Sequence, residues 1–347
     1  MSLRDWLLFL ARSVVLGLAV AAVVLLILPY LQGTATQQRQ AAPVSFADAV
    51  NRAAPAVVNI YSVGEVRGSF FNSRPTTVWR LGSGVIMDSR GYIMTAYHVV
   101  ADVDQIEVAL QDGRVSAAQL IGYDRYTDLA VLKVDLPNLP VIPQSNNHRI
   151  RAGDVVLAIG NPYNLGQTIT QGIISATGGR IGVSNPYADL IQMDAVINEG
   201  ASGGALVNSR GELVGINNAS YNSLTGDGGE GIYFAVPRST ANYVMQEIIA
   251  NGAVIRGYLG IKINDNTSLQ RNVPGITVSE VAPRSPAALA GLQVNDYIVR
   301  MNDEVIDSPS KGLNMVAYGR PGEQIKIEFY RGNQLLEAVA TLQPLPQ

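Results

Sequence analysis

Apolar and polar positions change rhythm along the chain, and each change marks an element. From Val14 to Leu28 every residue is apolar apart from Gly17, and Trp6–Ala11 extends the run backwards across Arg12 and Ser13. A helix that crosses a bilayer needs roughly 20 apolar residues. Trp6–Leu28 reaches that length if Arg12 snorkels toward the interface. Thr34–Ala42 is polar and glutamine-rich and reads as a tether. Phe46, Ala49 and Val50 then recur at helical spacing, and Ala53-Ala54-Pro55 ends that short helix. From Val57 onward the rhythm is that of short strands and glycine turns. Val57–Ser62, Leu81–Met87, Tyr92–Thr95, Ile106–Leu110, Val115–Gly122 and Leu129–Val134 form one group. Val155–Ile159, Thr168–Thr177, Leu190–Met193, Ala205–Val207, Leu213–Ala219 and Gly231–Val236 form a second. Two groups of about six strands fit two small antiparallel barrels. Ser239–Asn251 reads as a closing helix.

The remainder has a different order: strand Gly275–Val281, short helix Pro286–Leu289, glycine stop Gly291, strand Asn295–Val299. Lys311–Tyr318 reads as a second helix and Gln324–Tyr330 as a late strand. This succession resembles a PDZ domain. Such a domain takes a peptide C-terminus as an added strand, with convergent backbone N–H groups for the carboxylate. The resemblance places that loop at Tyr258, Leu259, Gly260 and Ile261, with Lys262 and Ile263 continuing the edge strand. Without it, the stretch is an ordinary strand with a glycine bend.

A chain of 347 residues suggests two domains plus appendages. Its formal net charge of −3 lacks the basic footprint of a nucleic-acid binder, so no nucleic acid is expected as a partner. There is no cysteine, hence no disulfide framework and no thiolate chemistry. Two separated histidines without cysteine argue against zinc, and no cofactor or metal is expected. Arg4 and Arg12 lie before the apolar run, which predicts a cytoplasmic N-terminus and an exported body. The alternative is a cleaved signal peptide, with small residues at Gly33-Thr34-Ala35.

The candidate chemistry sits in Gly200-Ala201-Ser202-Gly203-Gly204. Flanking glycines admit dihedrals that can aim N–H groups at one point beside an exposed hydroxyl, which a serine nucleophile with an oxyanion hole requires. The base must be one of two histidines. His98 follows the strand-like Tyr92–Thr95, whereas His148 lies in a polar stretch and reads as solvated. Asp128 stands at the mouth of the apolar run Leu129–Leu132 and can orient the imidazole. The chain order His98, Asp128, Ser202 is that of the chymotrypsin-type triad.

Thr95–Val100, Thr127–Leu132, Gly153–Pro162 and Gly200–Leu206 resemble the bacterial HtrA serine proteases, and Leu81–Met87 with Asn161–Thr177 point to the family's membrane-anchored branch. The resemblance implies a mostly-β fold: a chymotrypsin-like double β-barrel followed by one PDZ domain, after a single transmembrane helix. It sets the boundaries at 1–12 for the flanking N-terminus, 6–28 for the anchor, 29–44 for the tether, 45–252 for the protease and 254–345 for the PDZ domain. His98, Asp128 and Ser202 are then catalytic, and Gly200, Ala201 and Ser202 form the oxyanion loop. The family usually has asparagine before the serine, so Ala201 removes a polar group that could hold the loop. Arg180 with Tyr187 resembles the regulatory loop linking PDZ domain to active site; read alone, Arg180 is an exposed residue on a turn. Val196-Ile197, about six residues before the serine, lacks the acid of trypsin-like pockets and predicts an aliphatic preference. The resemblance further implies a homotrimer in the bacterial inner membrane, with protease and PDZ domains in the periplasm. The C-termini of misfolded outer-membrane proteins would occupy the PDZ groove, and a membrane anti-sigma factor would be the substrate. Two alternatives stay open: a general periplasmic quality-control protease, and a PDZ scaffold with an inactive protease domain.

Overall fold

The computed structural model describes residues 3–33, 45–66, 76–145, 149–162, 166–177, 190–219, 231–264 and 273–346. It comprises two units, Met1–Ser45 and Phe46–Gln347. The first is a helix, α1 (Leu3–Gly33), whose stretch Trp6–Ile27 is long and apolar enough to cross a membrane. Positions 29–33, expected in the tether, are helical and carry α1 to Gly33.

The second unit opens with α2 (Ala47–Ala53) and a 3₁₀ turn over Ala54–Ala56 that accommodates Pro55. Seven strands follow: β1 (Val57–Val66), β2 (Thr76–Ile86), β3 (Tyr92–Ala96), β4 (Gln105–Ala109), β5 (Val115–Ala117), β6 (Gln119–Asp124) and β7 (Leu129–Lys133). The single strand expected over 115–122 is two, because Val115–Ala117 pair with β4 whereas Gln119–Asp124 pair with β7, so the chain changes partner at Ala118. All are antiparallel, in the order β5-β4-β1-β2-β3-β7-β6, with the one-turn helix α3 (Tyr97–Val100) after β3. The next six strands are β8 (Val155–Gly160), β9 (Thr168–Thr177), β10 (Ile191–Met193), β11 (Ala205–Asn208), β12 (Leu213–Asn218) and β13 (Tyr233–Pro237). They close a barrel in the order β10-β13-β12-β11-β8-β9. Together these two sheets make the chymotrypsin-like double β-barrel.

Several strands read as unbroken apolar runs rather than alternating ones, and the packing explains why. In β7, Ala130 and Leu132 face the first barrel's interior with Ile60 and Ile93. Leu129 and Val131 face the opposite way, into a core shared with Leu157 and Ile159 of β8 and Ala205 and Val207 of β11. Val156 and Ala158 turn into the second barrel. Strands at the contact between barrels are therefore buried on both faces, which demands continuous hydrophobicity. Burial of each such Leu, Val or Ile contributes roughly 1.5–3 kcal/mol. Helix α4 (Arg238–Asn251) adds Ala241, Val244 and Ile248 to the same core and stops at Gly252, whose φ of 75° is the left-handed cap glycine tolerates.

The PDZ fold follows: β14 (Gly257–Tyr258), β15 (Ile261–Asn264), β16 (Ile276–Val281), α5 (Pro286–Leu289), β17 (Tyr297–Met301), β18 (Glu304–Val305), α6 (Pro309–Tyr318), β19 (Gln324–Arg331), β20 (Gln334–Thr341) and β21 (Gln343–Pro344). The ladder runs β15-β16-β17-β19-β20, with β18 on β17 and β21 paired to β14. Helix α6 starts two residues before the expected Lys311, because Ser308 Oγ accepts the Lys311 N–H as an N-cap and Pro309 fits the first turn. Where the PDZ fold meets the protease fold, the Arg256 guanidinium lies on the Asp124 carboxylate, both nearly inaccessible. Arg320 reaches Glu247 of α4 at 3.3 Å, and Tyr318 meets Tyr243 edge to face.

Candidate active site

The register of β3 and β7 creates the first half of the site. Ala96 lies opposite Leu129, so His98 and Asp128 emerge at the same end of one ladder. Asp128 has a φ of 53°, a left-handed conformation that aspartate tolerates better than most residues. Its carbonyl accepts the Tyr97 N–H at 2.9 Å and its Oδ1 the His98 N–H at 3.0 Å. Its Oδ2 lies 2.6 Å from His98 Nδ1. A proton on Nδ1 leaves Nε2 as the free base, the tautomer general-base work requires. A second donor reaches the same oxygen from the other barrel: Asn218 Nδ2, at 2.9 Å. Burial alone would raise the Asp128 carboxyl, but the hydrogen bonds from His98 and Asn218 outweigh it and hold the group below its ordinary value.

Ser202 sits on a loop at the start of β11. The Ala201 N–H bonds Asn198 O at 3.0 Å, and Gly200 has a φ of 92°. That combination is a type II turn, whose third position needs a residue at home with positive φ. The N–H groups of Gly200 and Ser202 make no hydrogen bond among the described residues. Gly203 (φ 82°) is wedged so tightly that a Cβ would lie 2.2 Å from Ser83 O and 2.4 Å from Thr95 Oγ1. Ser202 Oγ accepts the Ala219 N–H at 3.2 Å, and no His98–Ser202 hydrogen bond forms among the described residues. Long or unformed catalytic hydrogen bonds are common in unliganded proteases. His98, Gly200 and Ser202 line one open cleft of about 790 Å³, together with Trp79, Leu81, Ile197 and Glu199.

The loop is held from the first barrel. Fully buried Ser83, on β2, donates its Oγ–H to Gly200 O at 2.8 Å and accepts the Asn161 N–H at 2.9 Å. Its N–H bonds Ser202 O at 2.8 Å, and its carbonyl accepts from Thr95 Oγ1. Ala201 is buried in the second barrel's core, where its Cβ lies 2.9 Å from where a side chain on Gly160 would begin. The position contributes apolar packing, while Ser83 supplies the polar anchor. Of the pair Val196-Ile197, only Ile197 is a cleft wall; Val196 is 42% exposed.

Tyr258, Leu259, Gly260, Ile261 and Ile263 line a small groove of about 70 Å³ against Gly312, Leu313 and Val316 of α6, with Leu345 also on its wall. Lys262 does not face it: its Nζ lies 2.7 Å from Glu280 on the exposed side. Gly260 (φ 82°) could not be otherwise, since a Cβ there would meet Ser285 Cβ at 2.2 Å. β15 is a sheet edge, the geometry that accepts an added strand. Arg180, Tyr187 and His148 lie outside the described residues.

The sequence reading missed Ser83, Asn218 and the pair Asp124–Arg256. Ser83 carried a signal, a polar residue between two glycines in an apolar strand. Asn218 carried none, because its partner is 90 positions away.

Residues 82–216 match the trypsin-like peptidase domain and residues 257–342 the PDZ domain. The serine endoproteases DegS of Escherichia coli K12 and Salmonella typhimurium are 49% and 48% identical to this chain, with 97% of this chain and 98% of each relative covered. Among solved structures, the HtrA-type protease AlgW with a tripeptide superposes with a TM-score of 0.76 at 44% identity, covering 88% of this chain and 98% of that one. The serine endoprotease from Yersinia pestis gives 0.68 at 47% identity, covering 88% and 99%.

Proposed function

The chain belongs to the HtrA family of serine proteases, and on that footing we propose that it is a membrane-anchored periplasmic endopeptidase switched by C-terminal peptides at its PDZ groove. Ser202 is the nucleophile, His98 the base that takes its proton and returns it to the leaving amine, and Asp128 the carboxylate that fixes the imidazole. The N–H groups of Gly200 and Ser202 receive the oxyanion. The observation that carries this reading is the 2.6 Å contact between His98 Nδ1 and Asp128 Oδ2, in the same cleft as Ser202. Formation of the His98–Ser202 hydrogen bond is the step left to activation. α1 is the retained anchor, and the active form is a homotrimer. Likeness to the DegS relatives over 98% of their length supports a stress-signalling role, in which exposed C-termini of misfolded outer-membrane proteins occupy the groove and a membrane anti-sigma factor is cut.

The test is active-site labelling by a peptide phosphonate, with and without a peptide bearing a free, apolar C-terminus. Labelling of Ser202 that rises with the peptide, not with its amidated form, is expected. Ser202→Ala should remove labelling and cleavage, a loss on the order of 10⁶ in kcat. Equal labelling with both peptides refutes PDZ control, and labelling elsewhere refutes the nucleophile. Resistance of the protein to alkaline extraction from membranes tests the anchor.

A further inference from the structure

The segments that carry His98 and Asp128 are each poorly able to hold themselves. α3, which bears His98, is a single turn of four residues, and its N-cap Ala96 makes no side-chain hydrogen bond. One turn fixes several dihedrals for little hydrogen bonding, so it persists only where packing holds it. Val99 and Val100 supply that packing on the inner side, buried in the first barrel's core. The segment bearing Asp128 links β6 to β7, and its positive φ is a conformation that a non-glycine residue keeps only when its surroundings over-determine it.

A contact on the outer side joins the two segments. The rings of Tyr97 and Tyr123 are stacked, with centroids 4.4 Å apart and planes inclined by 21°. Tyr97 directly precedes His98, and Tyr123 ends β6 just before the turn that leads to Asp128. Arg125, within that turn, brings its guanidinium to 5.7 Å from the Tyr97 ring centre and 5.6 Å from that of Tyr123. A cation within about 6 Å of a ring centre is attracted to it. One ring therefore comes from the histidine segment, while the other ring and the cation come from the aspartate segment. Tyr97 also packs against the barrel core, whereas Tyr123 is 40% exposed.

We propose that Tyr97 and Tyr123, with Arg125 closing over both rings, are positioning residues: their stack clamps the histidine segment to the aspartate segment and so keeps the His98 ring at the Asp128 carboxylate. The backbone bond from Tyr97 N–H to Asp128 O ties the same two segments from within. Neither tyrosine lines the cleft, so the effect belongs on kcat and not on KM. The proposal rests on the protease reading above and adds to it residues that act through the His98–Asp128 pair.

The experiment uses the full chain in detergent, with an anilide whose acyl side ends in valine and, as activator, a peptide bearing a free apolar C-terminus. A stacked aromatic pair is worth roughly twofold to tenfold in an equilibrium constant beyond the area it buries. Tyr123→Ala should therefore lower kcat about threefold to tenfold and leave KM within about twofold, while Tyr123→Phe, which keeps the ring, stays near the wild type in both. Tyr123→Leu, which keeps apolar bulk without an aromatic ring, repeats the comparison if Tyr123→Ala does not fold. The double variant Tyr97→Ala/Tyr123→Ala should be no slower than the slower single one, because a lone ring has nothing to stack on. The chain has two histidines, so isotopic nitrogen labelling of histidine in a His148→Gln background isolates the Nδ1–H signal of His98. That signal should move or broaden in Tyr123→Ala and keep its place in Tyr123→Phe. An unchanged kcat or an unchanged His98 signal in Tyr123→Ala, a loss carried by KM, an equal loss in Tyr123→Phe, or additive losses in the double variant each overturn the proposal and leave the protease reading in place. If the wild type does not cleave the anilide even with the activator, the protease reading falls, and the His98 signal by itself decides whether the stack holds the pair.

Discussion

Arg256→Met is the perturbation that most directly tests how the two folds are joined. The Arg256 and Asp124 side chains are 2% and 4% exposed, so solvent does little to screen their contact. Among the described residues, the variant leaves the Asp124 carboxylate buried with only the Thr127 hydroxyl, at 2.6 Å, and the Tyr126 N–H, at 3.3 Å. Removing one partner of such a pair costs about 3–5 kcal/mol, because the survivor stays desolvated and uncompensated. That is a large part of the roughly 5–15 kcal/mol by which a folded domain exceeds its unfolded chain. Asp124→Asn, in the same background, keeps an acceptor for Thr127 and removes the stranded charge. The double variant should therefore recover about half of the loss, a coupling within the roughly 0.5–3 kcal/mol seen between contacting residues. Urea unfolding of the full chain in detergent, followed by far-UV circular dichroism, measures both. Thr127 directly precedes Asp128, so peptide cleavage by Arg256→Met should also fall at temperatures where the protein stays folded. A single-variant cost below about 1 kcal/mol, or strictly additive losses, would refute the reasoning.

Asp128→Asn should reduce kcat by about 10⁴ with KM little changed, through the wrong imidazole tautomer; stopped assays on a peptide substrate check it. Because the Asp128 carboxyl sits below its ordinary value, its contribution to stability is complete above the unfolded-state value of about 3.9 and disappears as pH falls through the lower folded one. Denaturation midpoints between pH 2 and pH 6 should thus fall more steeply for the wild type than for Asp128→Asn. Gly203→Ala should abolish activity and lower the melting temperature, since its φ of 82° and two contacts under 2.5 Å leave no room for a methyl group. Gly260→Val should leave anilide turnover at its basal rate and eliminate its stimulation by C-terminal peptides, as read by isothermal titration and a stimulated rate assay.

Fold order was legible because the barrels' strands obey simple periodicities and the turns are marked by glycine. The continuous runs Leu129–Leu132 and Val155–Ile159 were legible as strands, but that both of their faces are covered, and by what, came only from the packing. Bounds moved where pairing or capping won over hydrophobic rhythm: a change of partner strand at Ala118 split one strand, and the Ser308 cap advanced one helix. His98, Asp128 and Ser202 could be picked out because few residue types perform their chemistry and the chain has only two histidines. The supports of those residues were not legible. Ser83, Asn218 and Arg256 act through contacts 117, 90 and 132 positions away, and pairing at that separation exists only after the barrels have met.

Ser83 gives the enzyme a divided construction. The segment bearing the proposed nucleophile belongs by sequence to one barrel, yet its carbonyls at 200 and 202 are tethered to a strand of the other. Neither half can therefore set its own geometry. Produced as two polypeptides severed between β7 and β8, the halves should each be silent, and any turnover should depend on their reassembly across the shared core.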